Sequence, residues 1–122
     1  MGVRGFVKRV GKSTEESDRE KLRDFCDALG LTPIDELPVR TPVRFAGEIT
    51  SLRIVPRAGA PAIEVTVTDG HGAAVAVFLG RARVRGMTPG RRMVVEGVPI
   101  REGAELLVYN PTYELLPTTG AG

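Results

Sequence analysis

Apolar residues recur at two different spacings along the chain, and the change between them divides it. Leu22, Phe25, Cys26 and Leu29 stand at i, i+3, i+4 and i+7, one stripe of an amphipathic helix. Ser13 with Glu16 and Ser17 with Glu20 both fit the S/T-x-x-E capping box, and Gly30 follows as a residue suited to a left-handed C′ position, so a helix is predicted over Ser13 to Leu29. Pro33 and Pro38 then make Leu31 to Arg40 an extended connector. From Pro42 the period falls to two, the spacing of strands. Val43, Phe45, Gly47 and Ile49 alternate with polar or small neighbours, and Leu52 and Ile54 resume one step out of phase, as a bulge near Thr50–Ser51 would produce. A turn-rich Val55–Pro61 precedes a second strand on Ile63, Val65 and Val67. Asp69-Gly-His-Gly72 closes a hairpin, its glycines supplying positive φ. In the third strand Val75, Val77 and Leu79 face one side and Ala74, Ala76 and Phe78 the other, with the first set expected to be buried. After a punctuated connector, Met93 to Pro99 forms the fourth strand. Glu105 to Leu116 forms the fifth, open to interruption at Asn110–Pro111, where proline cannot donate to a ladder.

Five short strands, a long bent first one among them, with a tight hairpin between the second and third and an insertion between the third and fourth, describe an all-β core. The expected architecture is a five-stranded OB-fold Greek-key barrel carrying an N-terminal amphipathic α-helix that covers one open end, with an SH3-like barrel as the alternative. The expected layout is a basic arm, helix and proline connector over 1–40, the barrel over 41–116 and a flexible tail over 117–122. A length of 122 residues fits one such unit. No apolar run approaches the roughly 18 residues of a membrane span, and Met1 to Lys12 lacks the apolar core of a secretory signal. A single cysteine, Cys26, allows no internal disulfide and fits a cytoplasmic location; it reads as a small core residue on the helix stripe.

Charge adds a local feature that the near-zero total hides. The formal net charge is only +2, yet no Asp or Glu occurs between Asp69 and Glu96, and Arg81, Arg83, Arg85, Arg91 and Arg92 all fall in that gap. Guanidinium groups suit phosphate oxygens, so this connector is the first candidate for nucleic-acid contact, against the alternative of a solvated loop in a chain with fourteen Arg and three Lys. Arg53 at the end of the first strand, Arg57 in the loop after it and Arg101 in the turn before the fifth flank the face on which OB domains bind. Thr66 and Phe78 are expected on that face, Phe78 as a platform for one base, with packing under the helix as its alternative. Glu64 on the same face would oppose phosphate. His71 reads as a turn residue, since no second histidine exists to complete a metal site. No nucleophile, base and orienting group can be assembled from spacing, so no enzyme activity, metal, cofactor or small-molecule substrate is expected.

Taken together, Val43-Arg-Phe-Ala-Gly-Glu-Ile49, Val67-Thr-Asp-Gly-His-Gly72, Val77-Phe-Leu-Gly80, Pro89-Gly-Arg-Arg-Met-Val-Val-Glu-Gly97 and Tyr109-Asn-Pro-Thr-Tyr-Glu-Leu-Leu116 resemble the OB-fold wedge domain of RecG-type branched-DNA helicases. The order of features is also similar to small stand-alone actinobacterial OB-fold nucleic-acid-binding domain proteins. The sequence contains no G-x-x-x-x-G-K-[ST] loop, so the resemblance implies binding without a motor. What it implies is a non-catalytic module for DNA or RNA, with single-stranded or branched DNA first. The alternative is a protein–protein adaptor built on the barrel and helix, which the few aromatics and balanced charge favour.

Overall fold

The computed structural model describes residues 14–118, in which one helix precedes a mostly β body. Helix α1 runs Thr14–Ala28. It closes as the sequence predicts: the Leu29 and Gly30 N–H groups donate to the carbonyls of Cys26 and Asp27 at 3.1 Å each, and Gly30 takes φ +73°. Of the two capping boxes, Ser17–Glu20 falls inside α1, while Ser13 and the basic arm lie outside the described residues. The proline connector is extended except for one 3-10 turn, Ile34–Glu36.

Seven strands follow: β1 (Val43–Arg57), β2 (Ala60–Thr68), β3 (Ala73–Leu79), β4 (Arg92–Gly97), β5 (Pro99–Glu102), β6 (Glu105–Tyr109) and β7 (Thr112–Leu115). They make one sheet in the order β5-β6-β3-β2-β1-β4-β7, in which only β3 and β6 run parallel. The expected count of five is thereby corrected, because two of the expected strands change partner midway. The fourth, expected over Met93 to Pro99, ends at Gly97 as β4, paired with β1, and Pro99 instead opens β5, paired with β6, which extends over Arg101 and Glu102 where a turn was expected. The fifth divides at Asn110, which takes φ +47°, and Pro111 into β6, paired with β3, and β7, paired with β4. Since Val98 alone separates β4 from β5, which lie toward opposite ends of the order, the sheet must curl into a half-barrel of OB-like form.

β1 is the strand that makes the curl. Its first half pairs with β4 and its second with β2, and the register slips between Ile49 and Ser51, where the phase change in the sequence placed a bulge. The barrel interior is filled from all sides by Phe45, Ile49, Val65, Val67, Met93, Val95 and Val108. Ile34 and Leu37 join this core beside the β2–β3 hairpin, and Val84 and Met87 join it from the β3–β4 connector at the other end of β3. Asp69 ties the first of these closures together. Its buried carboxylate accepts the backbone N–H of Ile34 at 2.8 Å and those of His71 and Gly72 at 2.9 Å.

The helix does not cover an open end, as the sequence reading expected. Leu22 and Cys26 pack on Ala46 and Val94, on the outside of β1 and β4, with Phe25, Leu31 and Leu116 at the margin. Ile34 and Leu37 already fill the end. The outer apolar patch, flanked by the cross-strand charge pairs Arg44–Glu96 and Arg92–Glu48, is what remains for an amphipathic stripe to bury. Burial, helped by the charge of Asp69, pushes the Cys26 thiol up to about 11, which suits an inert packing residue.

Candidate nucleic-acid interface

The outer face of β1, β2, β3 and β6 carries a row of registered residues: Arg53 opposite Glu64, Glu64 opposite Val77, and Val77 opposite Tyr109. The bulge is what turns this half of β1 outward, because it puts Leu52 on the core side and Arg53 and Arg57 on the other. Glu64 accepts from Arg53 Nη2 at 3.1 Å, from Arg57 Nε at 3.1 Å and from Arg57 Nη2 at 2.8 Å. Arg57 Nη1 donates to the Tyr109 hydroxyl at 2.7 Å, and the guanidinium lies 5.5 Å from the centre of that ring. The hydroxyl in turn donates to Glu102 Oε2 at 3.3 Å, and the other Glu102 oxygen stands 3.8 Å from Arg57 Nη1. The hydrogen bond from Arg57, with a smaller contribution from Arg53, holds the Glu64 carboxyl below its usual 4.5 despite burial, and burial raises the Tyr109 hydroxyl. Two arginines and two glutamates thus cancel over this face. Ala62, Val75, Val77 and Leu107 lie beneath them as a second apolar cluster, and Thr66 sits half-buried beside it.

Phe78 is not on that face, and this corrects its expected role. It pairs with Ile63, is 3% exposed, and points into the barrel, where its ring meets Tyr113 edge-on at 5.6 Å. The alternation in β3 is as predicted but its sense is reversed: Ala74, Ala76 and Phe78 belong to the main core, and Val75 and Val77 to the outer cluster.

The connector between β3 and β4 has the opposite electrostatic character. It leaves β3 beside the β1–β2 hairpin, with the Gly80 N–H donating to the Pro61 carbonyl at 2.9 Å. It returns at the bulge, where the Gly90 N–H donates to the Ile49 carbonyl and the Ile49 N–H to the Arg91 carbonyl, both at 2.8 Å. Between these anchors Val84 and Met87 are drawn into the core, so Arg81, Arg83 and Arg85 are turned to solvent. No carboxylate among the described residues pairs with any of the three. Arg91 bonds only to carbonyls, with Nε to Leu116 O at 3.0 Å and Nη1 to Gly86 O at 3.4 Å, so its charge is also uncompensated. Arg92 differs: Glu48 accepts from its Nε at 3.1 Å, and its guanidinium lies 4.4 Å from the centre of the Phe25 ring. Arg101, expected in a turn, lies instead in β5 opposite Leu106, where it is exposed and donates to Ala104 O at 3.4 Å.

Seven of the ten candidates fall into two places, a neutral face holding Arg53, Arg57 and Thr66 and a positive barrel end holding Arg81, Arg83, Arg85 and Arg91, while Phe78 lies in the core, Arg92 beside α1 and Arg101 on β5. Tyr109 and the clamping role of Glu64 escaped the sequence reading; only the strand register brings them to Arg57. His71 Nε2 meets Asp27 Oδ1 at 3.0 Å, joining the hairpin to α1. Among the described residues, no three His, Cys, Asp or Glu side chains gather as a metal site, and no helix is long and apolar enough to cross a membrane.

No protein-family model and no curated protein matches the chain. Solved structures do. A chain in the crystal structure of the S. pombe Stn1–Ten1 complex is similar over 67% of this chain and 62% of its own, at 22% identity and a TM-score of 0.53. RecG bound to a three-way DNA junction is similar over 77% of this chain and 15% of its own, at 16% identity and a TM-score of 0.51. This chain thus spans less than two thirds of either neighbour, and at such identities the likeness is one of fold: the body is an OB-type domain.

Proposed function

We propose that this protein is a non-catalytic OB-fold module of the cytoplasm that binds nucleic acid, DNA in single-stranded or branched form, at the arginine-bearing end of its barrel. The observation that carries this reading is the connector, where Arg81, Arg83 and Arg85 stand exposed and, among the described residues, without carboxylate partners on a segment pinned by Val84 and Met87. Four uncompensated guanidinium groups, Arg91 included, suit a run of phosphates, and each phosphate neutralised releases counterions from the strand. That one structural neighbour was solved on a three-way DNA junction supports branched DNA as the first ligand to try. Arg53 and Arg57 contribute less, because Glu64 and Glu102 neutralise them.

Fluorescence anisotropy of labelled single-stranded, duplex and branched DNA, and of matching RNA, between about 50 and 200 mM salt tests the proposal. Binding should weaken steeply with salt. The variant Arg81→Ala/Arg83→Ala/Arg85→Ala should lower the magnitude of the log K against log salt slope by about 2–3, as three lost phosphate contacts require. An unchanged slope would place the contact elsewhere. A protein–protein adaptor is the second reading, favoured by the neutral outer face with its apolar cluster and by the partly exposed Leu79 at the end of β3. Absence of binding to every nucleic acid at the lower salt would make it the better one.

A further inference from the structure

We infer, on the nucleic-acid reading above, that the module grips its ligand through backbone phosphates and is indifferent to the bases. Every described aromatic ring is already engaged. Phe45 and Phe78 are 1% and 3% exposed inside the barrel, and Tyr113 packs against the same core with its ring edge-on to Phe78. The other two rings, half-buried like that of Tyr113, are held against guanidinium groups, Tyr109 by Arg57 and Phe25 by Arg92. A base could take either ring only by displacing an arginine that a glutamate holds in place, Glu64 in one case and Glu48 in the other. Domains that coat single strands supply open aromatic platforms for successive bases, and among the described residues this one supplies none.

The basic end is built differently from a base-reading site as well. Reading a guanine edge requires a guanidinium held in a fixed plane. Among the described residues no hydrogen bond orients the side chains of Arg81, Arg83 and Arg85, which project from a connector with positive φ at Gly80, Gly86 and Gly90. They present charge without direction, which is what a phosphate chain of any sequence can use.

The test compares a labelled oligothymidine strand with an abasic deoxyribose-phosphate strand of equal length, both bound to the full chain at about 50 mM salt. One stacked base is worth about fivefold or more in affinity. The expected result is affinities within fivefold of each other, with both falling together in the Arg81→Ala/Arg83→Ala/Arg85→Ala variant. An oligothymidine strand bound more than fivefold tighter would overturn base-indifference while leaving the nucleic-acid reading intact. Binding of neither strand, nor of duplex or branched DNA, would overturn both.

Discussion

Phe78 offers a direct way to separate a packing residue from a base platform. Its ring is 3% exposed, sits opposite Ile63 across the β2–β3 ladder and contacts Tyr113 at 5.6 Å in an edge-on pair. Phe78→Leu keeps most of the apolar volume but removes the aromatic pair, worth about 0.5–1.5 kcal/mol, and leaves some unfilled space, for a total cost of about 1–2 kcal/mol. Phe78→Ala opens a larger cavity and should cost about 3–5 kcal/mol. In urea, with slopes of about 1–3 kcal/mol per M, the leucine variant should unfold at a midpoint lower by about 0.5–1 M and the alanine variant at one lower by about 2 M. The chain contains no tryptophan, so far-UV circular dichroism is the suitable probe. Anisotropy on the leucine variant, at a temperature where it is folded, should give wild-type nucleic-acid affinity. A leucine variant with an unchanged midpoint and an affinity reduced fivefold or more would mean that the ring meets a base instead of the core, and the account of β3 given above would be wrong.

Two further outcomes follow from the buried carboxylates. Because the folded Glu64 carboxyl lies below its ordinary 4.5, its pairing stabilises the fold fully above that value and is lost as pH falls through the folded one. The urea midpoint of the wild type should thus decline more steeply between about pH 5 and 3 than that of Glu64→Gln, and parallel profiles would show that the clamp contributes nothing. Asp69→Ala removes three hydrogen bonds to backbone N–H groups, among them the buried one from Ile34, and should cost about 2–4 kcal/mol, lowering the melting temperature by roughly 10 °C. A loss below about 1 kcal/mol in a thermal melt would mean that the hairpin does not hold the 3-10 turn.

What could be read from the sequence was what repeats locally. β1 alternates large apolar residues, Val43, Phe45 and Ile49, with polar or small ones, so its period and the phase slip at Thr50 were visible, and Gly30 and Gly70 marked the ends of the helix and the hairpin. β3 is different. Ala-Ala-Val-Ala-Val-Phe-Leu is apolar at every position and its centre is buried on both faces, so the period survives while the distinction between inside and outside does not. The break in the fifth strand was legible in Asn110–Pro111, where proline cannot donate to a ladder, but the one at Val98 was not: a strand that exchanges one partner for another keeps its pattern, and only the pairing shows that break. The position of α1 depended on which apolar patch stayed uncovered after Ile34 and Leu37 had closed the barrel end, which is a property of the assembled body.

The same distinction between local and assembled properties decides where the positive charge is free. The connector could be recognised early because its arginines lie in a stretch of chain without acids, and sequence distance and spatial distance agree there. Arg53 and Arg57 were candidates as well, yet a one-residue bulge turns them onto the face where Glu64 and Tyr109 arrive from other strands. Had β1 continued without the bulge, Arg53 and Arg57 would have faced the interior, and Glu64 would have been left buried without its partners, at a cost of several kcal/mol. The bulge therefore does two things at once. It bends β1 so that one strand can serve both sides of the barrel, and it draws two arginines into a neutral clamp on the outer face. Arg81, Arg83 and Arg85 are left without carboxylate partners among the described residues at the barrel end, which is why the proposed phosphate contact is put on the connector, the first candidate in the sequence, and not on the strand face.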